Sequence, residues 1–212
     1  MQYPNAKIIV FAKTPIAGNV KTRLIPVLGK HGARQLHCQM MEHTLATMTN
    51  NQLAPVELHC SPDIEHDDIR SFGERYHITL RSQQGNDLGE RMSHALSKAV
   101  EDSRYVILIG TDCPALSAAY IQQAIEILQS GSDVVIGPAE DGGYVLIGVK
   151  SSHPEIFTRI DWGTDQVLQQ TRDSIQSQGI SFKELETLWD VDTPDDLEYF
   201  KGQKQWAHLL SA

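Results

Sequence analysis

Two runs, Ile8-Ile9-Val10-Phe11 near the start of the chain and Tyr105-Val106-Ile107-Leu108-Ile109 near its middle, carry no charged or alternating polar residue. A strand with one wet face alternates apolar and polar side chains. A run without that alternation reads as a strand buried on both faces, which needs helices above and below it. That requirement restricts the chain to an α/β architecture.

The segments around these runs supply the helices. Leu36, Met40, Leu45 and Met48 recur at near-helical spacing and predict a helix over 33–49, after a loop bearing Pro and Gly. Strands are expected over 56–60 and 78–81, with a short helix over 64–76 between them. A helix from Asp87, capped by Asp87 or Asn86, aligns Leu88, Met92, Ala95, Leu96, Ala99 and Val100. Residues 117–129 repeat the pattern after the central strand, with Ile121, Ile125 and Leu128 on one face. Segments 134–136 and 144–149 flank Ala139-Glu140-Asp141-Gly142-Gly143, whose turn composition reverses the chain, so one antiparallel strand is expected. A helix over 164–178, a strand-like stretch over 181–188 and a last helix from Pro194 complete the pattern. With no internal repeat or linker composition, residues 1–212 read as one α/β sandwich domain.

Charge and cysteine usage narrow the function classes. A net charge of −9 argues against a broad basic face for nucleic acid, although a few local cations could hold a small anion. Cys38, Cys60 and Cys113 are odd in number and far apart, which favours neither a disulfide framework nor a thiolate zinc site. No leader-like start and no apolar run of about 20 residues is visible, so a cytoplasmic protein without a membrane span is expected. The sequence gives no interface for an oligomer.

Chemistry-bearing residues fall in three places. The loop from Thr14 to Arg23 follows the first strand, where open α/β sheets bind ligands, and it concentrates Lys13, Lys21 and Arg23 around Gly18. Gly18 permits close backbone approach, and the cations could neutralise a diphosphate. An ordinary surface loop would have the same composition, and the glycines of a Walker motif are missing. Asp112, in Gly110-Thr111-Asp112-Cys113-Pro114, stands at the end of the central strand as a metal ligand or a helix cap. Asp190 and Asp192 alternate along an extended path and share one face, either able to reach a metal, whereas Asp195 and Asp196 are explained as helix-start residues after Thr193-Pro194. Asp141 lies in the Gly-bearing turn, and Trp162-Gly163-Thr164-Asp165 combines an aromatic side chain with a helix start. Cys113 reads as a structural thiol.

In order along the chain, Phe11-Ala12-Lys13-Thr14-Pro15, Lys21-Thr22-Arg23-Leu24, Asp87-Leu88-Gly89-Glu90-Arg91-Met92, Gly110-Thr111-Asp112-Cys113-Pro114, Asp141-Gly142-Gly143-Tyr144 and Asp190-Val191-Asp192-Thr193-Pro194 resemble the DUF2064 family of GT-A-like glycosyltransferases, within the nucleotide-diphospho-sugar transferases. The Lys-Thr-Arg-Leu stretch is also similar to the Lys-Ser-Arg-Leu of phospholactate guanylyltransferases. The resemblance implies a three-layer α/β/α Rossmann-like sandwich with a mostly parallel mixed sheet. It implies a nucleotide or nucleotide-sugar donor held by Lys13, Gly18, Lys21, Arg23 and Asp87, and a divalent ion, Mg or Mn, on Asp112 and Asp192. Gly110 replaces the first acid of a plain Asp-x-Asp, so Asp112 has to be supplemented from elsewhere. The expected reaction is metal-dependent sugar transfer to a small-molecule acceptor, with Lys21 and Arg23 stabilising the leaving phosphates and Asp141 contacting the acceptor or acting as base. Nucleotidyl transfer to a phosphorylated acceptor with release of pyrophosphate is the alternative, and a non-catalytic nucleotide-binding module is the alternative of another class.

Overall fold

The computed structural model describes residues 1–209. Its strands are β1 (Ala6–Lys13), β2 (Val56–Ser61), β3 (Thr79–Ser82), β4 (Tyr105–Ile109), β5 (Val134–Pro138), β6 (Tyr144–Val149) and β7 (Phe182–Glu184). Its α-helices are α1 (Ile25–Asn50), α2 (Asp67–Tyr76), α3 (Leu88–Ala99), α4 (Ala118–Gln129), α5 (Val167–Ser177) and α6 (Pro194–Gly202). The strands form one seven-stranded sheet in the order β3-β2-β1-β4-β6-β5-β7. Only β6 runs antiparallel to its neighbours, β4 and β5. That reversal is the one expected from the Gly-rich turn at 139–143.

The unbroken apolar strands are buried on both faces. Along β1, Ile8, Val10 and Ala12 enter one core while Ile9 and Phe11 enter the other; along β4, Tyr105, Ile107 and Ile109 part in the same way from Val106 and Leu108. The first core is closed by α1, α2 and α4, through residues such as Leu45, Phe72 and Ile121. The second is closed by α3 and α5, through Met92, Leu96, Leu168 and Ile175. The result is a three-layer α/β/α fold.

Helix starts follow their caps. Asp87 accepts from the Glu90 amide at 2.8 Å, and Ser117 accepts from that of Tyr120 at 3.2 Å. Thr193 and Asp196 form a reciprocal capping box ahead of Pro194. Elsewhere the boundaries differ from expectation. The first helix begins at Ile25 rather than 33, because it continues across a break at Gly29, whose φ of 68° is outside helical geometry. Helix α5 begins at Val167 rather than 164, since the Thr164 hydroxyl accepts from the Gln166 amide in a turn before it. The strand expected over 181–188 is shorter: β7 stops at Glu184, and Leu188 makes one isolated bridge to Ala139.

A third, smaller core lies beside the sheet. Leu24, Leu36, Met40, Val191, Leu197 and Phe200 are buried together, with Trp189 and Trp206 packed against them. It pins the turn before α1 to the segment before α6. No helix among the described residues is long and apolar enough to cross a membrane.

Candidate functional site

After β1 the chain builds outward to β2 and β3, then returns so that β4 pairs with the other side of β1. This reversal of direction opens a crevice at the carboxyl ends of β1 and β4. With Val10 paired to Ile109, the residues that follow, Lys13 on one strand and Asp112 beyond the other, come to the same mouth. A cavity of about 650 Å³ lies there, large enough for a nucleotide-sized ligand.

Lys21 anchors one side. Its backbone adopts the left-handed conformation, φ 47° and ψ 43°, which costs a non-glycine residue roughly 1–2 kcal/mol. The side chain is only 2% exposed, and its Nζ lies 2.7 Å from Asp112 Oδ1. The same ammonium donates to the carbonyl of Val191, whose amide donates to the Asp112 carbonyl at 2.8 Å. Asp112 Oδ1 is closed off from solvent, yet the side chain as a whole is 47% exposed, so its accessible part is the Oδ2 side. Desolvation pushes this carboxyl up, but Lys21, then His37 and Lys13, outweigh it and hold it below the usual range. Behind it, His37 is buried with Nε2 2.8 Å from the Lys13 carbonyl, and burial lowers its pKa. The ring is therefore neutral at pH 7, and Nε2 is its donor.

Carboxylates crowd the other side. Asp190 is pushed up to about 7, first by burial and then by Asp141 and Asp112 nearby, with Lys21 opposing. Asp192 Oδ2 accepts from Arg23 Nη1 at 2.7 Å, at a partly exposed position. Asp141 Oδ1 accepts from the Gly143 amide at 2.8 Å, which fixes the acid within its turn. That turn is locked to the start of α5 by the Leu168 amide, 2.8 Å from the Gly142 carbonyl. Tyr144 and Trp162 meet edge-on with ring centroids 6.4 Å apart, and both border the cavity.

Six of the residues singled out in the sequence, Lys13, Lys21, Arg23, Asp112, Asp141 and Asp192, line this single cavity. Gly18 and Asp87 are outside its lining: Gly18 turns at φ +93° beside the Lys30 side chain, and Asp87 caps α3, whose next residue Leu88 reaches the cavity. Asp190 also lines it, although only Asp192 of that pair was in the expected metal set. The period-two pattern was the available signal, since Val191 between them points into the third core and is 0% exposed. Arg91 and His37 were missed too, because nothing in helical periodicity marks which polar residue of a helix faces a ligand. Cys113 is buried with its thiol pushed up to about 12 by desolvation, as a structural cysteine is. Among the described residues no three His, Cys, Asp or Glu side chains converge as a ready-made metal cage.

Residues 44–164, more than half of the chain, match a family described as "Uncharacterized protein conserved in bacteria (DUF2064)". A candidate nucleotide-diphospho-sugar transferase from Desulfovibrio desulfuricans G20 is 32% identical, with a TM-score of 0.86 over 98% of this chain and 97% of that one. A cytidylyltransferase from Leptospira borgpetersenii shares the fold at 12% identity, with a TM-score of 0.64 over 99% and 89% of the two chains. A CMP:2-keto-3-deoxy-manno-octonic acid synthetase solved with CTP does so at 10% identity, with a TM-score of 0.60 over 93% and 97%. No curated protein sequence matches the chain.

Proposed function

This chain belongs to the DUF2064 family, and from that premise we propose that it is a nucleotide-using transferase that moves a sugar from a nucleotide-diphosphate donor to a small-molecule acceptor. One observation carries the reading: a cavity of about 650 Å³ at the switch point of the sheet has Lys13, Arg23 and Arg91 and the carboxylates of Asp112, Asp141, Asp190 and Asp192 in one lining. Cations suit the donor phosphates, and clustered acids suit a cation that travels with them.

The donor set fits a divalent ion, Mg or Mn. Asp112 keeps its Oδ2 side open and Asp192 is partly exposed, both in the cavity lining, so hard oxygens face the ligand space beside Asp190, whose carboxyl burial and the neighbouring acids push up to about 7. Asp112 and Asp192 would hold the ion through hard oxygens, with the donor phosphates completing its shell. When bound, it would neutralise charge on the departing diphosphate.

The protein's own groups do the rest. Arg23 and Lys13 attract and orient the phosphates, and Arg23 is able to exchange Asp192 for a phosphate oxygen when a donor arrives. Lys21 keeps Asp112 ionised at the crevice. Asp141, held in its turn by Gly143, takes the acceptor hydroxyl proton as the acceptor oxygen bonds to the sugar and the sugar–diphosphate bond breaks.

The test is product analysis. Incubation with nucleotide sugars and Mg or Mn is expected to release a nucleoside diphosphate in the presence of an acceptor. Release of pyrophosphate from a triphosphate would instead identify nucleotidyl transfer. Tight nucleotide binding with no product across a broad acceptor panel would identify a binding module.

A further inference from the structure

The geometry points to Lys21 as a positioning residue that acts on the donor site through Asp112 and Val191, rather than as a ligand of the phosphates; this rests on the reading of Asp112 as part of a nucleotide site. A lysine in a loop beside a diphosphate pocket suggests a direct phosphate contact. The burial argues otherwise. The Lys21 side chain is 2% exposed, while Arg23, two residues on, is 62% exposed.

The Lys21 ammonium has three protons to donate. One faces Asp112 Oδ1 at 2.7 Å and another goes to the Val191 carbonyl. The loop closes on itself as well, because the Val191 amide donates to the Asp112 carbonyl at 2.8 Å. One side chain thereby joins three segments: the loop after β1, the end of β4 and the approach to α6. Val191 is 0% exposed in the third core, so this joint cannot shift without disturbing Trp189 and Phe200.

Two consequences follow for the site. The ammonium occupies one oxygen of Asp112 and leaves the Oδ2 side open, so Asp112 offers a single oxygen to a cation. Fixing Val191 also sets the direction of its neighbours Asp190 and Asp192, both of which border the cavity. Lys21 thus aims three carboxylates while touching one.

The experiment compares the parent with Lys21→Met, Asp112→Asn and the double variant. Hydrogen exchange by mass spectrometry is read on peptides covering 186–196. Affinity is read by titration calorimetry with ADP, CDP, GDP and UDP in the presence of MgCl2 or MnCl2. K21M is expected to speed exchange over 188–193 and to weaken the best-binding nucleotide roughly tenfold, the scale of coupling within one ion-pair network. The double variant is expected to lose less than the sum of the two single losses, because the part of the Lys21 effect that runs through Asp112 is already gone in D112N. If D112N alone fails to fold, exchange over 188–193 in K21M decides the question without it.

Additive losses in the double variant would mean that Lys21 meets the ligand itself and would overturn the proposal. So would exchange over 188–193 that K21M leaves unchanged. If the parent bound none of the four nucleotides, the nucleotide-site reading would fall, and exchange would still decide whether Lys21 fastens the three segments.

Discussion

Arg23 Nη1 and Asp192 Oδ2 meet at 2.7 Å, although 169 residues separate them in sequence. The pair is exposed, 62% on the arginine side and 38% on the aspartate side. Exposed pairs of this kind contribute about 0–1 kcal/mol to stability. Arg23→Gln is therefore expected to move the urea midpoint little, while weakening nucleotide binding several-fold. Equal nucleotide affinity in parent and variant would remove Arg23 from the donor site.

Lys21 and Asp112 behave differently because their exposure is unequal. Asp112→Asn leaves an ammonium buried without its counter-charge, at a cost of roughly 3 kcal/mol or more. Lys21→Met leaves a carboxylate whose Oδ2 side already meets solvent, and its cost is expected to be smaller. Adding Lys21→Met to Asp112→Asn should recover stability. Urea unfolding of the four proteins checks the order, and a double variant less stable than D112N would contradict it.

Gly142→Ala probes the turn that carries Asp141. Gly142 has φ +87°, and an added Cβ would collide with the Asp165 carbonyl oxygen. Forcing a side chain there is expected to destabilise the protein by about 1–3 kcal/mol and to part the turn from the start of α5. The measurement is denaturant unfolding together with acceptor-dependent turnover. A variant as stable and active as the parent would show that the turn does not need this backbone.

A pH dependence is built in away from the cavity. Glu57 is lowered to about 2, first by its hydrogen bond with His59, against desolvation, and then by Lys7 and Arg81. A carboxyl held below its unfolded value contributes stability that is complete above about pH 4.5 and is lost as pH falls through about 2. The side chain is 12% exposed, so solvent screens the network only in part. Its contribution is on the order of 2–3 kcal/mol. Glu57→Gln should flatten the acid limb of a stability-versus-pH curve between those values. An unchanged acid limb would reject the assignment.

Much of the fold was legible because local chemistry and global packing agree. The apolar runs of β1 and β4 required covering on both faces, and Asp87, Ser117 and Thr193 announced the starts of α3, α4 and α6. The early start of α1 was hidden by Gly29 and Gly32, which read as loop residues until the third core holds them in register. In the cavity, residue types were legible and their partners were not. Lys21 reads as an exposed loop cation, and only the folded chain brings Asp112 and Val191 around it. Asp190 and Asp192 look equivalent in sequence; burial separates them, pushing Asp190 up to about 7.

The third core gives the stretch from Trp189 to Phe200 a role in the site. The match to the family stops at residue 164. Beyond it lie two of the four acids of the cavity and the backbone that receives the Lys21 proton. A chain cut before Trp189 would retain every strand of the sheet, yet it would have a pocket with one wall missing and an ammonium stripped of its carbonyl partner. The segment that leads into α6 thus closes one wall of the crevice, held in place by Trp189, Phe200 and Trp206, which lie outside the cavity lining.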